Sequence, residues 1–287
     1  GIPAKASVQI SEEGDARVAT VYYDSKDALI DADITLGADL QLLSATLRKA
    51  FLRNTADVTG TIRRASSGAI NVELGGAFLN ISGAVPDISA VGGAAGNSTT
   101  PMTLNAEVGT LRLRDELDLS DARVKMISTQ AGVQRFEAEG TTDDGSAIKG
   151  IYDASGDGAP SLSVSSGNAG FLAAAFMGID FLEGGDLTLT STLAKDGAPT
   201  KMNVNIRNTQ MVNAPFLTQI LSLASLQGLA DTLGGEGVRF SSIDIPMTIA
   251  EGRYIIDGAK AQGPALGLTT SGFYNSSDRA IEFDGVL

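Results

Sequence analysis

Apolar and polar residues alternate along most of this chain, and that period of two is the pattern of strands with one dry face and one wet face. In Ser242–Ala250 the residues Ile243, Ile245, Met247 and Ile249 point one way, and Asp244, Pro246 and Thr248 the other. Lys201–Asn208 repeats it, with Met202, Val204 and Ile206 set against Asn203, Asn205 and Arg207. Asp186–Leu193 does so with Leu187, Leu189 and Leu193. Further strands are expected at 17–23, 55–63, 70–74, 78–83, 102–108, 122–127, 134–140 and 148–153. Turn signals cut these runs at short intervals, among them Ser66-Ser67-Gly68, Asp143-Asp144-Gly145, Lys195-Asp196-Gly197 and Glu251-Gly252. Gly, Asp and Asn tolerate the positive φ of tight hairpins, so the chain reads as a meander of hairpins. Pro246 lacks an N–H and argues for an edge strand or a bulge in its segment.

Two segments depart from the alternation. Asn168–Ile179 carries Phe171, Leu172, Ala175, Phe176 and Ile179 at helical spacing, with Asn168 as its N-cap. Asn213–Leu233 reads as a longer amphipathic helix, with Pro215 in its first turn and Gly234 as its stop. Its polar residues and Asp231 argue against a membrane span. Residues 92–101, rich in Gly, Ala, Ser and Thr, read as a flexible loop. The expected organisation is an N-terminal β lobe over 1–91, the loop at 92–101, and a C-terminal β region over 102–287. The expected fold class is mostly β, an antiparallel meander with two helices packed on or capping it. An ordinary β-sandwich is the competing architecture.

The 287 residues include no Cys, no His and no Trp, which removes whole classes of chemistry. There is no usual zinc site, no Cys nucleophile and no Ser-His-Asp triad. Acid–base work falls to carboxylates, Lys or Tyr. A formal net charge of −13 with sparse, scattered Lys and Arg argues against nucleic acid and against attraction to an anionic membrane surface. Hydrophobic residues at 43% suffice for a core of aliphatic side chains. The chain opens Gly1-Ile2-Pro3-Ala4-Lys5 without an apolar signal segment, and stops at Gly285-Val286-Leu287 inside what reads as a strand. Both ends read as cuts within a longer protein.

Candidate chemical motifs are incomplete. Asp153-Ala154-Ser155-Gly156-Asp157-Gly158 mimics the start of a calcium loop, but Val164 stands where the closing bidentate acid belongs. Gly92-Gly93 and Leu233-Gly234-Gly235-Glu236-Gly237 lack the Lys-Ser/Thr of a phosphate loop. Asp180 and Glu183 form a carboxylate pair better explained as a polar helix end. No cofactor, metal or catalytic constellation is expected, and a carboxylate-based hydrolase is the remotest reading.

The last third carries a more specific pattern. Leu221-Ser222-Leu223-Ala224-Ser225-Leu226-Gln227-Gly228-Leu229 leads into Leu233-Gly234-Gly235-Glu236-Gly237-Val238-Arg239-Phe240. A strand pair follows, then Gly263-Pro264-Ala265-Leu266-Gly267-Leu268 and Gly272. Upstream stand Asn168-Ala169-Gly170-Phe171-Leu172 with Gly178, and Gly184-Gly185-Asp186-Leu187-Thr188-Leu189. Together, over about residues 165–285, these resemble the C-terminal region of the AsmA-like family. The resemblance implies a periplasmic module of an inner-membrane-anchored protein, a sheet curled into a taco-like trough, and phospholipid transport toward the outer membrane. On that reading Ile243, Ile245, Met247, Ile249, Met202, Val204, Ile206, Leu187 and Leu189 line a groove for acyl chains. The alternative is an assembly module that binds other envelope proteins through its sheet edges.

Overall fold

The computed structural model describes residues 4–83, 100–114, 116–214, 237–264 and 266–286. Among them are seventeen strands and one helix, so the chain is mostly β. It divides into two compact units that part in sequence between Asp143 and Asp144.

The first unit holds nine strands: β1 (Lys5–Glu13), β2 (Ala16–Asp24), β3 (Ala28–Leu36), β4 (Leu42–Leu52), β5 (Ala56–Arg64), β6 (Ile70–Asn80), β7 (Met102–Arg114), β8 (Leu117–Thr129) and β9 (Gly132–Thr141). Consecutive strands of the unit pair with one another, and every pair but one is antiparallel. The exception is β6 with β7, which run parallel in register from Ile70↔Met102 to Asn80↔Arg112. A parallel neighbour requires the chain to travel back to the starting end of the strand, which a short hairpin turn does not do. Residues 92–101 fall in this connection and, up to residue 99, lie outside the described residues. The strands flanking that stretch thus share one unit, and the units divide later in the chain. The runs expected separately at 70–74 and 78–83 form the single strand β6, which stops at Asn80.

The second unit holds β10 (Ala147–Asp153), β11 (Ser161–Ser166), α1 (Ala169–Met177), β12 (Leu182–Thr192), β13 (Thr200–Met211), β14 (Val238–Ala250), β15 (Arg253–Gln262), β16 (Gly267–Asn275) and β17 (Ile281–Val286). Its strands form a consecutive antiparallel meander. β14 lies inside the sheet between β13 and β15, and the β14–β15 register shifts between Asp244 and Met247. Of the two options Pro246 left open, the bulge is the one used, since a bulge leaves an N–H unpaired anyway.

Helix α1 forms where its spacing places it. The Asn168 side chain accepts the Phe171 N–H at 2.8 Å, and Gly178 closes the helix in the left-handed region at φ 66°. Ala169, Phe171, Leu172, Ala173 and Ala175 are all buried, in keeping with a helix that is apolar nearly all round. It packs on β12 and β13. The second expected helix, Asn213–Leu233, lies almost wholly outside the described residues. No helix among the described residues is long and apolar enough to cross a membrane.

Candidate functional site: two one-sided apolar faces

Partners in an antiparallel ladder share a face, so the registers state which side chains stand together. In the second unit Leu187 pairs with Ile206, and Ile206 with Ile243. Leu189 pairs with Val204, and Val204 with Ile245. Met202 pairs with Met247, and Ile249 stands opposite Thr200. All nine residues expected from the sequence therefore lie on one face of three adjacent strands. Val164 and Ile256 extend the same rows to β11 and β15. The reverse face is polar, with rungs such as Ser165–Thr188–Asn205–Asp244–Lys260. The Asn205 amide donates to the Asp244 carboxylate there.

Cover on this face is uneven. Ile206 and Ile243 belong to a packed core with Ala169, Ala214, Val238, Phe240, Ala261 and Leu266. Val204, Ile245 and Leu187 are partly buried against that core. Met202, Met247, Ile249 and Ile256 lie farther along the strands and are only half-buried. One end of the stripe is thus protein core, and the other remains partly open.

A crease separates the stripe from the end of the sheet. Asn208 has φ 55°, and Gly184 and Gly185 have φ 59° and 91°. Counting by two from Ile206 and Ile243 would bring Asn208 and Ser241 to the dry face, yet both are exposed. Thr209 and Phe240, at 2% and 1% exposure, take the inward place. The left-handed residues slip the alternation by one position, so the dry side stays dry across the crease. A Cβ on Gly185 would lie 2.8 Å from Thr209 Cβ and 3.1 Å from Arg207 O, at a φ that side chains rarely adopt. Gly185→Ala is expected to cost about 2–3 kcal/mol, seen as a lowered melting temperature, whereas Asn208→Gly should be near neutral.

In the first unit the registers reveal a feature the sequence reading did not assign. The row Ile10–Ala19–Ile34–Ala45–Ile62–Val72–Leu104–Met126–Phe136 crosses all nine strands and is apolar throughout. Beside it runs Val8–Val21–Ala32–Leu47–Gly60–Leu74–Ala106–Val124–Ala138. At about 4.8 Å between strands, such a row is about 38 Å long measured along the sheet. Ile34, Ile62, Val72, Leu104, Met126 and Phe136 are half-buried and none is fully covered. The reverse face carries Gln9–Thr20–Asp33–Thr46–Thr61–Glu73–Asn105–Lys125–Glu137.

Polar partners knit that reverse face. The Thr20 hydroxyl donates to Asp33 at 2.7 Å, and Arg48 Nε to Asp31 at 2.9 Å. The Asn105 amide donates to Glu73 at 2.8 Å, and Arg112 grips Asp118 through two bonds of 2.8 Å. The Arg48 guanidinium, with the Thr20 hydroxyl, holds the Asp33 carboxyl below the usual carboxylate range, and Arg112 does the same to Asp118. Exposed pairs of this kind contribute little to stability. They do mark which side of the sheet is wet.

The calcium-like loop is braced from outside by a lysine. Lys195 Nζ donates to Gly158 O at 2.9 Å and to Asp157 O, so an ammonium is tied to the backbone of this turn. Asp153 Oδ1 accepts from the Ser155 N–H and hydroxyl at 2.9 and 2.6 Å, an ordinary Asp turn. Among the described residues no group of three or more acidic side chains is placed to hold a metal. Added calcium is expected to leave the melting temperature unchanged, and a rise of several degrees would reinstate the loop as a site. Asp180 and Glu183 are both exposed.

Comparison with protein-family models, with curated proteins and with solved structures finds no match.

Proposed function

We propose that this chain is a lipid-binding groove module of a diderm periplasm, part of an inner-membrane-anchored protein that moves phospholipid toward the outer membrane. The observation that carries the reading is the first unit's dry face, nine strands wide, with two rows free of polar side chains; Ala32 and Ala106 on it are buried, while Ile34, Ile62, Val72, Leu104, Met126 and Phe136 are only half covered. An aliphatic surface of this extent is costly to leave in water, at about 25 cal/mol per Å², and acyl chains supply the missing cover. Recognition by apolar contact needs no catalytic group, and the reading includes no catalytic step. The resemblance over residues 165–285 supports the same function.

Native mass spectrometry of gently purified chain is the test. Phospholipid should co-purify, and a photocrosslinker at position 62 or 247 should capture acyl chains. Lipid-free protein together with crosslinks only to protein would defeat the groove.

A further inference from the structure

We infer that Arg64 seats the phosphate of a lipid whose acyl chain lies on the first unit's dry face. The inference rests on the lipid reading above and adds to it the class of ligand, a phosphate-bearing lipid, and the rim at which the head lies. Along the rows of that face, charge stands at one end only. Beyond the row through Ile34, Ile62, Val72 and Leu104, the next same-face positions include Arg17 on β2, Leu36 on β3, Arg64 on β5, Ile70 on β6 and Met102 on β7. The row at the opposite end of the strands, Ala28–Leu52–Ala56–Leu79–Leu111–Leu119, has no polar side chain.

Cover is graded in the same direction. Val58, Val108 and Ala122 share a row toward the uncharged end and are 6%, 5% and 3% exposed. Ile62, Val72, Leu104 and Met126, toward the Arg64 end, are half-buried. A chain resting on this open row has closed protein on one flank and a guanidinium on the other. Same-face positions along a strand are about 6–7 Å apart, so a head group at Arg64 is within reach of a chain on Ile62. An amphiphile with an anionic head fits this face one way round.

Arg64 is held in place without being neutralised. Its Nε donates to Leu42 O at 2.9 Å and its Nη1 to Gly68 O at 3.2 Å. Both acceptors are backbone carbonyls, and the remaining N–H groups have no partner among the described residues. A guanidinium carries its N–H donors in a planar fork that matches phosphate oxygens. The reverse-face arginines Arg48 and Arg112 are instead committed to the carboxylates of Asp31, Asp33 and Asp118. Arg17 stands opposite Glu12 on its own face, which offsets its charge, so Arg64 is the stronger seat.

Equilibrium dialysis of the 287-residue chain tests this with lysophosphatidic acid and the monoacylglycerol of the same acyl chain, both below their micelle-forming concentrations. The two lipids differ only by the phosphate. The wild type should bind the phosphate-bearing lipid about tenfold tighter, the scale of one charge-assisted contact. Arg64→Gln should remove that preference and leave the monoacylglycerol Kd unchanged. Arg63→Gln makes the same charge change on the reverse face and should keep the preference. Arg64→Lys keeps the charge and loses the fork, so it should show a smaller preference, and it reads the same contact if Arg64→Gln fails to fold. Equal wild-type affinity for the two lipids, or a preference that Arg63→Gln lowers as much as Arg64→Gln does, would overturn the inference and leave the groove standing. Binding of neither lipid would overturn both.

Discussion

Ile243→Asp is expected to unfold the second unit, whereas Met247→Asp, on the same face of the same strand, should leave it folded. Ile243 is 6% exposed and packs with Phe240, Val238 and Ala169. A carboxylate there has no partner among those side chains. Burying it costs several kcal/mol, comparable with the whole stability of an ordinary domain. Met247 stands two rungs along, opposite Met202, where the face is half open and an Asp keeps access to water. Ile245 lies between them against the core and should show an intermediate loss. Thermal melts followed by circular dichroism order the three variants. Native mass spectrometry of the folded Met247→Asp chain then asks about function, and loss of bound lipid is the expected result. Unfolding by Met247→Asp as well would make the stripe core from end to end.

Gly76→Ala should destabilise the first unit by about 3 kcal/mol, at the upper end of the cost of overpacking. A Cβ at Gly76 would meet the Asp57 carbonyl oxygen and lie 2.7 Å from Val58 Cα. Both are backbone atoms of β5, so no rotamer change relieves the clash and the two strands must part. Because β6 also holds β7, the damage spreads to the parallel pair. Gly83→Ala is the matched control, since nothing lies within 4 Å of its added Cβ. Comparable losses from both variants would count against the close β5–β6 approach.

Strands β12, β13 and β14 were legible because their alternation runs clean over six or more residues, as in 201–206 and 243–249, whereas β11 and β16 were not assigned from the sequence. Nine groove candidates drawn from three separate segments fell onto one face for the same reason. Helix α1 was legible from its cap and spacing. The first unit's dry face was harder to see because bulges interrupt its period. The register of β4 with β5 slips between Leu47 and Ala50, and β6 slips against β5 near Val58. At each slip the apolar spacing changes from two to three, and a simple alternation count loses the face. The crease at Asn208 hides in the same way, although the spacing from Phe240 to Ile243 records it.

Sequence alone determined the β class, the wet and dry sides of the clean strands, the capped helix and the exclusion of Cys- and His-based chemistry. Those properties follow from local residue order and from residue types that are simply missing. Only the tertiary structure decided that β6 and β7 run parallel, that Pro246 sits at a bulge inside the sheet, that Lys195 braces the loop at Asp157, and that Ile243 is core while Met247 is half open. Each of these depends on which distant segment lies alongside. Strand pairing joins residues far apart in the chain, and period-two alternation reports only the side on which a residue points, not what covers it.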